Sequence, residues 1–100
     1  MIAHWPVERI ETEKRRLTVL AYLAQAPGYE AAAGILLLHC RRRGVPTDSD
    51  QMLACLAWLE EASLVALRAE GEDLVARVTL RGREVALGQV RHPGVLPPDP

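Results

Sequence analysis

Aromatic side chains are scarce in this 100-residue sequence, which contains two Trp, two Tyr and no Phe. A buried core must therefore be built mainly from Leu, Val, Ile and Ala. Lysine is almost absent, since eleven of the twelve basic residues are Arg, and thirteen acidic residues bring the formal net charge to −1. This balance gives no overall electrostatic attraction to nucleic acid. The length and the 49% hydrophobic content suit one compact domain that needs neither metals nor disulfides.

Metal-binding and nucleophilic side chains are also few. Cys40 and Cys55 have no CxxC or CxC spacing, and their positions in predicted helices indicate reduced, buried or half-buried thiols. His4, His39 and His92 are scattered and form no ligand pair at i and i+4. Neighbours such as His39 and Cys40 point to different sides of a helix, and the glycines stand singly instead of forming a phosphate-binding loop. We therefore expect no metal, no other cofactor and no enzymatic activity.

Long apolar segments are missing as well. The amino-terminal residues MIAHWPVERIETEKRR lack the basic-then-apolar pattern of a signal peptide. The longest apolar run is too short to span a bilayer. We expect a cytoplasmic protein with no membrane partner.

The first part of the chain predicts a helix over about residues 7–26, which starts after Pro6 and ends at Pro27 and Gly28. Every side chain between Glu11 and Arg16 is polar, so its first turns are expected to project beyond the core. Its predicted buried stripe consists of Ile10, Leu17, Leu20, Ala21 and Ala24.

A second predicted helix covers about residues 30–43 and has a wide apolar arc. Its last turn carries Arg41, Arg42 and Arg43, and Gly44 is a typical C-cap residue. The three arginines have two interpretations. They could interact with the negative end of the helix and aid solubility, or they could contact phosphates.

The stretch TDSDQMLACLAWLEEASLVAL, residues 47–67, predicts a third helix over about residues 48–62 that leads into a strand. Met52, Leu56 and Leu59 recur at helical spacing and form its apolar stripe. We expect Thr47 to be the N-cap residue, with Asp50 completing a capping-box-like pair. Only residues 44–47 separate the second and third helices, which is typical of a helix-turn-helix.

A β-hairpin is predicted over about residues 64–79, because a turn at residues 70–73 places apolar residues opposite one another on one face. The expected pairs are Val65 with Val78, Leu67 with Ala76, and Ala69 with Leu74. A short helix over about residues 81–88 follows. The Pro-rich tail, residues 91–100, is expected to be an extended arm or disordered, outside a domain of residues 1–90.

Two motifs resemble those of a known protein class. LEEASLVAL, residues 59–67, resembles the Leu-Glu-x-x-Gly-Leu-Val segment of winged helix-turn-helix regulators of the multiple-antibiotic-resistance and arsenical-repressor types. TLRGREVALG, residues 79–88, resembles their Leu-Thr-x-x-Gly-Arg-x-x-Ala segment. With its small size and HPGV tail, the chain is most similar to the small winged-helix proteins of Mu-like prophages. The expected fold is mainly α with a small β-hairpin, in the class α+β.

The resemblance implies a DNA-binding transcription regulator of phage type, a homodimer formed through the first helix or the carboxy-terminal segment. Double-stranded DNA would be its partner, with the third helix in the major groove and the hairpin, or wing, at the backbone. The candidate DNA-binding residues are Arg41, Arg42, Arg43, Ser49, Gln51, Arg68 and Arg77.

A second hypothesis is a winged-helix module that binds protein and does not contact DNA through the third helix. That helix contains no Arg or Lys, and the expected hairpin tip, Glu70 to Asp73, carries three carboxylates. Trp5 and Trp58 are candidate interaction residues, because Trp is enriched at binding hot spots. Alternatively, Trp58 packs within the fold and Trp5 packs against the start of the first helix.

Overall fold

The computed structural model describes residues 7–99, which form an α+β fold of four α-helices and a three-stranded antiparallel sheet. Trp5 lies outside the described residues. In chain order the elements are α1 (Val7–Gln25), β1 (Glu30–Ala32), α2 (Ala33–Arg42), α3 (Ser49–Glu61), β2 (Val65–Glu70), β3 (Asp73–Val78) and α4 (Leu80–Ala86), with a short 3-10 turn at Pro27–Tyr29 before β1.

Helix α1 lies against the core with a face that the predicted stripe describes only in part. Val19, Leu20 and Leu23 are fully buried, whereas Ile10 is 50% exposed. The predicted stripe was therefore wrong at Ile10, and the core-facing side continues toward the amino end through Arg15 instead. Because Arg15 is itself buried, the prediction that the polar turns project beyond the core was wrong at this residue, whereas residues 7–10 are exposed.

Strand β1 was not predicted. Residues 30–32 were assigned to the second helix, but they pair with β3 in the register Glu30 to Arg77, Ala31 to Ala76 and Ala32 to Val75. Helix α2 consequently begins at Ala33. The local sequence, Glu-Ala-Ala, favours a helix, and the strand is stabilised only by hydrogen bonds to a partner more than forty residues away.

The start of α3 differs from the prediction in its capping residue. Asp48, not Thr47, is the N-cap: its Oδ1 accepts a hydrogen bond from the Gln51 amide at 2.7 Å. The Gln51 side chain completes the capping box by accepting from the Asp48 amide through Oε1 at 2.9 Å. Thr47 cannot take this role because its side chain is buried and bonded elsewhere.

Thr47 belongs to a buried polar contact that joins α1 to the connection between α2 and α3. Arg15 is 4% exposed, and its Nε donates to Thr47 Oγ1 at 2.9 Å while its Nη2 donates to the Pro46 carbonyl at 2.5 Å. The Thr47 hydroxyl in turn donates to the Val45 carbonyl at 2.9 Å. The two acceptors of Arg15 allow a cation to lie in the core, where an unbonded charge would be costly.

The hairpin has the predicted register. Val65 pairs with Val78, Leu67 with Ala76 and Ala69 with Leu74. Glu70 pairs with Asp73 across the turn, and Gly71 there has a φ of +63°, which suits glycine. The sheet order is β1-β3-β2, so β3 is central and β2 lies at an edge.

The carboxy-terminal segment packs against the fold, so the expectation of an extended or disordered arm was wrong for residues 91–96. Val95 is buried, and the Leu96 amide donates to the Glu13 carbonyl at 3.3 Å. Arg16 Nη1 donates to the Gly94 carbonyl at 2.8 Å. Composition alone suggested disorder, but α1 and α3 together provide a surface that holds this segment. Within residues 7–99, no helix is long and apolar enough to cross a membrane.

Substitution of Gly82 tests the packing of α4 onto the hairpin. A Cβ at this position would lie 2.2 Å from the Leu64 carbonyl oxygen and 2.6 Å from Val78 Cγ2. Because the first of these atoms is backbone, we expect Gly82→Ala to lower the free energy of unfolding by about 1–3 kcal/mol or more.

Gly34 in α2 is the matched control, since a Cβ at that position would have no neighbouring atom within 4 Å. Gly34→Ala should be neutral or stabilising by about 0.5 kcal/mol. Urea unfolding measures both, and equal stability of the two variants would contradict the packing.

Substitution of Thr47 tests the buried contact with Arg15. Thr47→Val keeps the volume but leaves the Arg15 Nε–H without its acceptor, so we expect a loss of about 1–3 kcal/mol in the free energy of unfolding. Thr18→Val is the control, because the Thr18 hydroxyl bonds only the exposed Lys14 carbonyl at 2.7 Å. A Thr47→Val variant as stable as Thr18→Val would show that the buried contact contributes nothing.

Candidate interaction surface on helix α3 and the hairpin

Helix α3 buries one face and exposes another of unusual composition for a nucleic-acid contact. Met52, Cys55, Leu56 and Leu59 are buried, so Cys55 is a buried thiol as the sequence indicated. The exposed residues are apolar, acidic or neutral polar, and the largest apolar one, Leu53, is 49% exposed. They are Ser49, Asp50, Gln51, Leu53, Ala54, Ala57, Glu60 and Glu61. No cation belongs to this face.

Arg68 is held by two carboxylates on the outer face of the sheet. Its Nη1 and Nη2 each donate to an oxygen of Glu30 at 2.9 Å, and its Nε and Nη2 donate to Glu70 Oε2 at 2.9 and 2.7 Å. The hydrogen bond from Arg68 holds the pKa of the Glu30 carboxyl below its usual value, and the same bonds raise the pKa of Arg68. The positive charge of Arg68 is therefore neutralised by contacts within the fold, without a binding partner.

Arg77 lies on the same face of the hairpin and is exposed. Its register partners are Glu30 on β1 and Ala66 on β2. The hairpin tip adds three exposed acidic residues, Glu70, Glu72 and Asp73. Glu30 was missed as part of this surface because β1 was not predicted.

Arg41, Arg42 and Arg43 are exposed at the end of α2. Arg41 Nε donates to the Thr47 carbonyl at 2.8 Å, which holds this side chain beside the amino end of α3. Arg41, Asp48 and Gln51 line one shallow depression there. The structure thus brings Arg41 close to Gln51, whose Oε1 is already bonded in the capping box.

Trp58 is half-buried under the carboxy-terminal segment. The Arg16 guanidinium carbon lies 3.8 Å above its ring centroid, and the His92 ring meets it edge-on at 5.6 Å. A Cβ on Gly94 would be 2.6 Å from Trp58 Cζ2, so only glycine fits there. These contacts are those of a packing residue, and an interface role for Trp58 stays a prediction.

The two thiols and the neighbouring histidine are poor candidates for chemistry. Burial raises the pKa of Cys40 to about 11 and that of Cys55 to about 12, so neither is a thiolate near neutral pH. Burial, followed by the charges of Arg43 and Arg42, lowers the pKa of His39, whose ring lies 4.6 Å from that of Tyr22. Among residues 7–99, no three His, Cys, Asp or Glu side chains are grouped as metal ligands.

No protein-family model, curated protein or solved structure matches the chain. Its function must therefore be inferred from the surface of α3 and the hairpin.

The contact between Glu30 and Arg68 predicts a pH dependence. A carboxyl whose pKa is depressed by folding stabilises the fold above its unfolded value, here 4.5, and this contribution is lost as the pH falls through the folded value. We expect the NMR titration midpoint of Glu30 to lie below 4.5 and to rise toward that value in Arg68→Gln.

Arg9→Gln is the control for this titration, because Arg9 pairs with Glu13 on α1 at 3.2 Å, separately from the sheet. It should leave the Glu30 midpoint unchanged. An unchanged midpoint in Arg68→Gln would mean that the ion pair does not hold in solution.

Proposed function

We propose that the chain is a winged helix-turn-helix module whose α3 face and hairpin bind a protein. The order of α1, β1, α2, α3 and the hairpin, with β3 central in the sheet, supports the winged-helix assignment. So does the short connection between Arg42 and Ser49, which is typical of a helix-turn-helix.

The composition of the exposed α3 face favours a protein partner over DNA. Leu53, Ala54 and Ala57 form an apolar strip, and the acidic Asp50 and Glu61 flank it. Protein interfaces have the same arrangement, with few charges at the centre and a polar rim. Burial of such a strip contributes roughly 25 cal/mol per Å² of apolar surface, whereas against DNA the same strip offers nothing to phosphates.

The hairpin supports the same choice. DNA affinity depends on Lys and Arg that displace counterions, about 0.9 per phosphate contacted. Arg68 already has its donors bonded to Glu30 and Glu70, and the carboxylates of the tip would repel a phosphate backbone. A protein partner avoids this repulsion.

Site-specific photo-cross-linking tests the protein-binding surface. With the cross-linker at Leu53, we expect a discrete adduct with a protein in extract of the native host. The control carries the cross-linker at Lys14, an exposed α1 residue that lines a groove with His39 and Arg43 instead of α3. Ala57→Glu, four residues along α3 from Leu53, should abolish the Leu53 adduct. Identical adducts from both positions, or none from Leu53, would count against this surface.

Double-stranded DNA is the second candidate partner, as expected of a transcription regulator of phage type. The observation that favours it is the position of Arg41 beside the amino end of α3, with Arg42 and Arg43 exposed next to it. These cations could contact phosphates without any base contact from α3.

Titration of the protein into duplex DNA at low and moderate salt separates the two candidates. Under the protein-binding proposal we expect no binding at low salt. Under the DNA candidate, binding weakens with salt, and Arg42→Gln reduces the slope of log K against log salt by about 0.9 for one lost phosphate contact. Arg81→Gln, a change of the same charge on α4, is the control. Salt-dependent binding that Arg42→Gln weakens and Arg81→Gln does not would favour DNA.

A further inference from the structure

Helix α4 exposes two large apolar side chains on one side. Leu80 is 64% exposed and Leu87, at the C-cap, is 65% exposed, the highest values among the large hydrophobic residues that the structure describes. They are seven positions apart, about two helical turns, so they lie on the same side of the helix. Arg83 and Glu84 lie between them, while Val85 and Ala86 face the core. The exposed stripe is thus apolar at both ends and charged in the middle.

A shallow groove runs beside this stripe. It has a volume of about 300 Å³, and Ala21, Ala24 and Gln25 of α1 line it opposite Leu80 and Leu87. The small alanine side chains leave room for an inserted apolar group. Tyr29 also lines the groove, where it is held with a φ of +60°, a strained value for a non-glycine residue.

The two charges in the middle of the stripe have no ionic partner within residues 7–99. The Arg83 guanidinium stacks on the Tyr29 ring at 4.3 Å, and its Nε is buried without a hydrogen-bond acceptor. The Glu84 carboxylate likewise accepts no hydrogen bond from the described residues. A complementary surface therefore needs one apolar group at each end, and one charge of each sign between them.

We infer that a second copy of this chain packs on the α4 stripe, with the two α4 helices antiparallel about a two-fold axis between Arg83 and Glu84. In this arrangement Leu80 faces the partner's Leu87, and Leu87 faces the partner's Leu80. The same axis places Arg83 against the partner's Glu84, and Glu84 against the partner's Arg83. The apolar pairs and the charge pairs share one centre, which is the condition for a self-complementary two-fold interface.

Charge complementarity selects a second copy over other occupants. An acidic segment would be attracted to Arg83 and repelled by Glu84, and a basic segment would be attracted to Glu84 and repelled by Arg83. A second copy in the antiparallel orientation presents an opposite charge to each of the two residues. The α4 helix has only seven residues, so the interface falls below the roughly 800 Å² per partner typical of stable complexes. The dimer is therefore reversible and depends on concentration. No α3 residue lines the groove, so the inference is independent of the proposed function.

Sedimentation equilibrium of the full chain over a range of concentrations tests the interface. We expect a monomer–dimer equilibrium for the native sequence. Arg83→Glu and Glu84→Arg each create two like-charged pairs across the axis, so each variant alone should dimerise at least about tenfold more weakly. An equimolar mixture of the two variants restores opposite charges at both pairs and should dimerise again. The double variant, with the two charges exchanged, should do so alone.

Two controls separate this result from a folding defect. Arg91→Glu makes the same charge change outside α4 and its groove, at an exposed residue, and should dimerise within about threefold of the native sequence. Far-UV circular dichroism and urea unfolding report whether each variant is folded. A native chain that stays monomeric, a dimer that both single variants leave intact, or a mixture that fails to regain association would each overturn the inference.

Discussion

The buried guanidinium of Arg15 is the contact on which the arrangement of the helices depends. It reaches from α1 to the Pro46 carbonyl and the Thr47 hydroxyl, in the connection that separates α2 from α3. Because a charge in the core is tolerated only when its donors are bonded, this connection has one acceptable position relative to α1. Asp48 then caps α3 at the next residue, which fixes both the start of that helix and the side it exposes.

The arginines of this chain are largely occupied by contacts within the fold. Arg15 lies in the core, Arg16 holds Trp58 and the Gly94 carbonyl, and Arg68 is bonded to two carboxylates. Arg41 bonds the Thr47 carbonyl. These four arginines are therefore engaged within the fold, and the exposed side of α3 itself carries no cation, while Arg42 and Arg43 remain exposed beside its amino end.

The two proposals concern different faces of the molecule. The α3 strip and the hairpin form one surface, whereas the α4 stripe lies beside α1 and the turn at Tyr29. A dimer formed through α4 would present two copies of the α3 surface at once. Paired sites of this kind raise the effective affinity for a partner that is itself repeated or dimeric.

The amino-acid sequence by itself determined the elements whose signals are local. The stripe of Met52, Leu56 and Leu59 predicted α3, and the alternation of apolar and polar residues on either side of Gly71 predicted the hairpin register. Both predictions were possible because the backbone geometry of a helix or strand sets the spacing at which side chains share a face. The sequence also indicated the absence of cations in α3, on which the candidate site depends. Tertiary structure alone decided the rest: β1 exists because β3 pairs with it, Arg15 is buried because Thr47 accepts its hydrogen bond, and Glu30 neutralises Arg68 across the sheet. Each of these contacts joins residues more than thirty positions apart. A local sequence pattern holds no information about which distant residue will pair with a strand, accept a hydrogen bond from a buried cation or form an ion pair.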